Sequence, residues 1–424
     1  MLDLNILAIV LWLLLFIFCA VVAKEVFTPP VMFSGLLGIF YLDLFVSSHE
    51  PEMFAVYIAM LIAVALGSYP YVRRKKRTHY RSGIARDLES NRPIPMARIW
   101  IMAIPAVTAQ LYMIFDFGGL AGYALAAKFG TREFAGMGPL KTIIASIYPL
   151  GIICFCYYIS ASDKVKEENL PSLILFKVII FVMALLTLSR GTLLSYFLLM
   201  FICAGVLGSK ISTFKIVSFI AVALIVASIY GVARETFSIQ DESFDLGIES
   251  REQGFKTEWM EFGTFPLMKV LENNSIEPSF GLTYLTVVTN FVPRVIWPEK
   301  PDPGGVVFTR DYAPGLYDEY NQYTTGLMPE AMINFGIIGG AAFGFIQLTF
   351  LVYISSFVSR NVERYRASIS SRHKMSCLAA AYAYFLWYTP FFLTGEFTNV
   401  MIGLIIKVIL ISLYYVLLAR RSFW

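Results

Sequence analysis

Charge is scarce in this chain. Only 15% of its 424 residues are charged while 57% are hydrophobic, whereas a soluble domain typically carries about a quarter charged residues. The surplus apolar residues fall in runs of roughly 17 to 25, long enough to cross a bilayer core as helix, which excludes an ordinary soluble fold. Cysteine offers no framework. Cys19, Cys154, Cys156, Cys203 and Cys377 all sit inside apolar runs, at spacings that fit neither disulfides nor a zinc site. Histidine is limited to His49, His79 and His373, so few side chains titrate near neutrality by default. The alternating segments of about ten residues that mark a membrane β-barrel are absent. So are a Gly-rich phosphate loop, an Asp-x-Asp metal pair and a nucleophile elbow, and no motif supports a cofactor, a metal or a nucleotide-fuelled reaction. The first apolar run lacks a basic leader and a small-residue cleavage site, so it reads as a retained span rather than a signal peptide.

What is present predicts an all-α polytopic membrane protein, read as one integral-membrane domain over 1–424. Spans are expected near 4–23, 27–46, 51–72, 99–118, 140–160, 173–189, 191–208, 214–233, 331–354, 375–395 and 399–419, eleven within a range of 10–12. Three basic clusters set the orientation. They are Arg73-Arg74-Lys75-Lys76-Arg77 with Arg81, Arg86, Arg92 and Arg98, then Arg360, Arg364, Arg366, Arg372 and Lys374, and finally Arg420-Arg421. All should face the cytoplasm. The loop 47–52 has no Lys or Arg and falls outside, and the odd count puts the N-terminus outside as well. The run at 73–77 suits topology and anionic headgroups of the lipid bilayer rather than a nucleic acid, since nothing aromatic accompanies it.

Residues 234–330 then form one external loop holding 16 acidic and 7 basic residues. It is too long for a simple connection, and its Phe, Tyr, Trp and Pro content argues against disorder. Phe255, Trp259, Phe262, Phe265, Met268 and Leu271 recur at helical spacing, which predicts an amphipathic helix in the interface. Residues 281–297 form a second apolar piece, too short for a span and suited to a re-entrant or interhelical position. The stretch from Asn290 to Gly340 is dense in proline, glycine and charge. Irregular, charged backbone persists beside spans only where it is wetted or buried in protein, and such places are usually functional.

Arginines gather at the boundary that the charge pattern assigns to the outside: Arg132, Arg190, Arg234, Arg294 and Arg310, with Lys300 nearby. The positive-inside rule disfavours them there. A guanidinium presents a fork of donors that matches phosphate oxygens, so a cluster facing an apolar groove suits a lipid-linked phosphate or diphosphate. Singly, each also reads as a snorkelling or salt-bridged boundary residue. Glu330 precedes the ninth span. It is the carboxylate best placed to act as a base, although burial and the helix dipole act on it in opposite directions, and it also reads as an ordinary first-turn acid. Asp311 and Glu235, beside arginines, are weaker candidates. Gly336, Gly340 and Gly344 predict a face for close helix packing. Lys407 lies deep in the last span, where an acid on a neighbouring helix is the natural partner.

Pro293-Arg294-Val-Ile-Trp297-Pro298-Glu-Lys300-Pro301, Thr325-Gly326-Leu-Met-Pro329-Glu330 and Asn334-Phe335-Gly336-Ile-Ile-Gly339 resemble the O-antigen polymerases, the Wzy-type oligosaccharide repeat-unit polymerases of bacterial envelopes. Ser189-Arg190-Gly191 at a hairpin tip, Arg234 after a span and the large external loop fit the same pattern. Arg294 and Gly305 match an Arg-x10-Gly spacing discussed for that family, of which a second copy is not evident, since Phe201 stands where Arg190 would require glycine. The resemblance implies a metal-independent glycosyl transfer, inverting or retaining, at the outer leaflet of the inner membrane. The donor is a chain on undecaprenyl diphosphate, and the acceptor is a repeat unit on the same lipid. It further implies a chain-length regulator and a flippase in the same membrane. Glu330 and Arg294 become the catalytic candidates. Arg132, Arg190, Arg234, Lys300, Arg310 and Tyr323 become the binding candidates, and Tyr312, Tyr317 and Tyr320 are further rings able to stack on sugars. The nearest alternative is a ligase-type transferase, although the long loop has no histidine. A flippase or transporter is a second, without the internal repeat common in transporters, and a membrane scaffold a third.

Overall fold

A computed structural model describes residues 4–23, 27–47, 49–72, 94–129, 134, 136–187, 190–207, 263–273, 275–292, 294–317, 323–366, 369 and 371–419. Among them the chain is all helix and turn, without strands. Among the described residues, eight helices are long and apolar enough to cross a membrane: Leu4–Ala23, Pro51–Val72, Met96–Asp116, Gly138–Ile159, Asp163–Leu186, Leu327–Val362, Arg372–Leu393 and Phe397–Ala419. Each overlaps one expected span. Two more expected spans are shorter helices, Pro29–Phe40 and Gly191–Val206, and the expected span at 214–233 lies outside the described residues. The run at 27–46 is broken because the chain turns at Tyr41. The Phe40 carbonyl is taken by the Gly263 N–H at 3.0 Å, and a separate turn of helix, Asp43–Val46, follows.

The chain divides into two compact units, one of residues 1–80, 255–365 and 385–406, the other of 81–254, 366–384 and 407–424. In the first, Gly67 meets the Val352 side chain and the Thr349 carbonyl so closely that a Cβ would lie 2.6 Å from Val352 Cβ. Tyr71 meets the Ser359 hydroxyl at 2.5 Å, and Arg360 donates to the Pro70 carbonyl. The chain ends joined here, 70–71 and 359–360, are ends that the charge pattern assigns to one side. Those joined at Phe40–Asp43 and Gly263–Thr264 are assigned to the other.

The helix Leu327–Arg366 is not one rod. Gly336 has φ 72° and ψ 173°, a region open essentially to glycine alone. The chain folds back there. Gly340 comes to rest on the backbone of Ala331 and Met332, and Gly344 against Met328. A continuous helix would hold residues eight apart about 12 Å from one another, so this contact is the signature of a hairpin between 327–335 and 337–366. Of the glycine face expected from spacing, Gly340 and Gly344 pack against their own preceding segment, while Gly336 is the break itself.

In the second unit, the run 138–159 breaks at Ser146. Pro149 has no N–H to give the Ala145 carbonyl four residues earlier. Lys407 Nζ donates to that carbonyl at 3.4 Å and the Tyr414 hydroxyl to the Ser146 carbonyl at 2.9 Å. The partner of Lys407 is thus a proline-freed carbonyl rather than the expected acid. His373 stacks on Tyr415 and hydrogen-bonds Tyr157, which reads as packing. Cys19, Cys154, Cys156, Cys203 and Cys377 are buried free thiols.

The hairpin makes a sharp prediction. A Cβ at Gly340 would lie 2.3 Å from Met332 Cα, whereas one at Gly339 meets only Phe335 Cβ at 3.5 Å. Gly340→Val is expected to abolish the monodisperse peak in fluorescence-detected size exclusion, and Gly339→Ala to keep it. A monodisperse Gly340→Val protein would contradict the hairpin.

Candidate functional site

Two carbonyls at the end of segment 327–335 have lost their helical donors at the Gly336 break. Ser279 and Phe280 supply replacements, their N–H groups donating to the Ile333 and Asn334 carbonyls at 2.9 Å each. The loop reaches them through a left-handed pair, Phe280 with φ 48° and Gly281 with φ 85°. It then enters the short helix Leu282–Thr289.

That helix is inverted relative to a soluble one. Thr283, Thr286 and Thr289 are 1%, 0% and 5% exposed, while Leu282, Leu285 and Val288 are 50%, 47% and 67% exposed. Thr283 meets the Glu330 carboxyl and the Asn334 amide, Thr286 meets Thr398, and the buried Thr289 hydroxyl has no hydrogen-bond partner among the described residues. The apolar stripe points out, as suits a lipid-facing element. Only part of the expected interhelical piece 281–297 is packed in this way, since Phe291, Val295 and Ile296 are 63%, 94% and 74% exposed. Of the expected amphipathic helix, Phe255, Trp259 and Phe262 lie outside the described residues, and Phe265, Met268 and Leu271 fall on the helix Thr264–Glu272.

Glu330 is completely buried. The Thr283 hydroxyl donates to its Oε1 at 2.9 Å, and the Phe397 N–H to its Oε2 at 2.7 Å. Phe397 opens the helix Phe397–Ala419, and a helix N-terminus favours a carboxylate. Asn334, one turn after Glu330, donates to the Glu330 carbonyl and to Thr283 Oγ1, both at 2.7 Å. The chain Asn334–Thr283–Glu330 is thus a directed relay of donors. The Thr286 and Thr398 hydroxyls meet beside it at 2.5 Å.

A second carboxyl, Glu396, adjoins this cluster. It is 2% exposed and its Oε2 accepts the Gly305 N–H at 2.9 Å, while Oε1 is buried without a hydrogen-bond partner. Burial pushes the Glu396 carboxyl above its ordinary pKa, and the Gly305 N–H holds it partly down. The neighbouring Gly304 leaves room for Glu330, since a Cβ there would lie 2.7 Å from Glu330 Oε1. The Gly304–Gly305 backbone is therefore wedged between two carboxyl groups.

Two residues earlier, Asp302 gathers the arginines. Arg294 Nη2 meets Asp302 Oδ1 at 2.5 Å and Arg310 Nη1 meets Asp302 Oδ2 at 2.8 Å. Arg294 also donates to the Pro298 carbonyl at 3.1 Å, and Arg310 Nε to Asp311 at 2.7 Å. Both side chains remain about half exposed. Lys300 Nζ turns back to the Val292 carbonyl at 2.9 Å. Tyr323 packs its ring on Phe265, centroids 5.0 Å apart, and its N–H on Thr309 Oγ1 at 3.0 Å. Tyr312 is buried, stacked on Phe308.

The structure thus brings Arg294 and Arg310 together on one carboxylate and seats Glu330 against the same turn two residues further along. Arg132, Arg234, Glu235 and Tyr320 lie outside the described residues, as does the side chain of Arg190, which opens the helix Arg190–Val206. Sequence reasoning passed over Glu396 and the threonines. The usable signals were an acid between two apolar runs, in Gly395-Glu396-Phe397-Thr398, and threonines every three residues along an apolar segment.

Fold and composition define a multi-pass helical membrane protein. No protein-family model matches its sequence, and no curated protein or solved structure is significantly similar to it.

Thr283→Val leaves the Asn334 amide and the Glu330 carboxyl each short of a partner, at an expected cost of about 1–3 kcal/mol. Combined with Asn334→Leu, the loss is expected to fall short of the sum of the single losses by about 0.5 kcal/mol or more. Thermal unfolding of the purified protein reads both, and additive losses would contradict the relay.

Proposed function

We propose that this chain is a glycosyltransferase that polymerises oligosaccharide repeat units carried on undecaprenyl diphosphate, at the outer face of a bacterial inner membrane. The observation that carries the reading is the turn 302–305. Its Asp302 end holds Arg294 and Arg310, and its Gly304–Gly305 end is wedged between Glu330 and Glu396. Permanent cations and buried carboxyls thus flank opposite ends of one short turn, the two kinds of group that a diphosphate leaving group and a hydroxyl acceptor require.

In the reaction an acceptor hydroxyl attacks the anomeric carbon of the donor's reducing-end sugar. The C–O bond to the lipid diphosphate breaks, and its electron pair leaves on the diphosphate oxygen. Arg294 and Arg310 neutralise the charge that grows there, the preorganised electrostatic help that often dominates catalysis. Each shares Asp302 and is half exposed, so a diphosphate can reach them from solvent. Glu330, held by Thr283 and the Phe397 N–H, takes the hydroxyl proton as general base. Lys300 and Tyr323 bind the same substrate at the rim. Arg132, Arg190 and Arg234 are diphosphate-binding candidates by the resemblance alone, and the topology we propose has eleven spans with the 234–330 loop outside. A chain-length regulator and a flippase are the expected partners in the membrane.

A second reading has one observation in its favour. The helix break at Gly336 beside two buried carboxyls resembles the interrupted helices with which secondary transporters bind substrate, so movement of lipid-linked sugars is the rival.

Gene deletion separates the two. Loss of a polymerase leaves surface lipid bearing a single repeat unit, and loss of a flippase or ligase leaves none. Glu330→Gln and Arg294→Ala are each expected to give the single-unit pattern with normal protein levels. Wild-type chain lengths in the deletion strain would rule out the proposal, and wild-type lengths in either variant would remove that residue from the site.

A further inference from the structure

The first unit contains a pocket that the glycosyl-transfer reading does not use. It has a volume of about 230 Å³ and is lined by Asp43, Ser47, His49, Thr264, Phe265 and Met268. Its polar groups converge on Asp43. The Ser47 hydroxyl donates to Oδ1 at 2.5 Å and the Thr264 hydroxyl to Oδ2 at 3.1 Å. His49 Nε2 stands 2.8 Å from Oδ2 but out of hydrogen-bond alignment, so this buried nitrogen is left without an aligned partner. The trio is not a hydrolytic triad. Ser47 gives its proton to the carboxylate and not to the imidazole, whereas a nucleophilic serine must be bonded to the histidine that accepts its proton.

The opposite wall is apolar. Phe265 and Met268 come from one helix, Thr264–Glu272, and the Phe265 ring is buttressed by Tyr323 and, edge-on, by Phe308. The volume lies below the roughly 300–1,000 Å³ of drug-sized sites, which favours a ligand that inserts a single ring. A carboxylate floor disfavours phosphate or any other anion. Acceptor oxygens on one side, an unaligned imidazole nitrogen and an aromatic wall suit a neutral ring that carries hydroxyls at its edge and C–H groups on its face. We propose that the pocket between Asp43–His49 and Thr264–Met268 binds a single pyranose ring, with its hydroxyls on Asp43 and His49 and its C–H face against Phe265. The ring is either a residue of a glycan chain or a free hexose.

The test uses the full chain in phosphatidylcholine nanodiscs, free of sugar-based detergent. Saturation-transfer NMR is recorded with glucose, galactose, mannose and N-acetylglucosamine as separate probes. At least one is expected to give a saturable signal, weakened tenfold or more by Asp43→Asn and by the pocket-filling Met268→Trp, but unchanged by Glu330→Gln. A methyl glycoside that binds as well as the free sugar assigns the pocket to a chain residue, and loss of binding on methylation assigns it to a free hexose. No saturable signal from any of the four overturns the proposal, as does equal affinity in a folded Asp43→Asn or Met268→Trp variant. Because binding is read without turnover, this result stands apart from the chain-length experiment on Glu330.

Discussion

A helix that stops among apolar neighbours leaves carbonyls that water cannot reach, and each must find a donor or cost several kcal/mol. The Gly336 break meets that constraint with the N–H groups of Ser279 and Phe280. Much of the first unit follows from this exchange. Holding residues 279–280 against the broken end fixes the start of helix Leu282–Thr289, which turns Thr283 toward Glu330 and Asn334 and Thr286 toward Thr398. The freed glycine face can then fold back on residues 328–332. The same constraint acts in the second unit, where Pro149 frees a carbonyl and Lys407 answers it.

The polar cluster around Glu330 is a result of this folding as well as its content. Three interruptions meet there: the end of 327–335, the helix Leu282–Thr289, and the gap at 394–396 before Phe397. Backbone N–H groups freed at helix starts and turns become the partners of the carboxyls, Phe397 for Glu330 and Gly305 for Glu396. A carboxyl there is held by fixed dipoles that need not reorganise, a property that suits proton transfer. Charge at the rim is arranged differently. Arg294 and Arg310 share Asp302 in the open, where ion pairs are weak and exchangeable, so an anionic ligand has accessible guanidiniums to bind.

How much was legible depended on whether the signal was local. Glu330 announced itself as an acid between a proline and an apolar run, and Arg294 as a charge among prolines. Both stand out within a short window. Glu396 did not, because a single acid between two spans looks like any boundary residue until Gly305, 91 residues away, donates to it. The threonines of 282–289 were hidden for a similar reason. Their spacing is visible, but which face is inside depends on what packs there. Spacing marks Gly336, Gly340 and Gly344 alike as a packing face, and only the φ of Gly336 shows that it is the break and that the other two pack on the same helix folded back.

The membrane class, the positions of the long helices and the density of charge in 290–340 follow from composition and run length alone, since partition into lipid depends on local hydropathy. The meeting of Glu330 with Thr283 and Phe397, the wedging of Gly304–Gly305 between two carboxyls, and the sharing of Asp302 by Arg294 and Arg310 were decided only in three dimensions. Hydrogen bonds between residues tens of positions apart depend on where helices break and how the broken ends are satisfied, and no short window of sequence contains both partners.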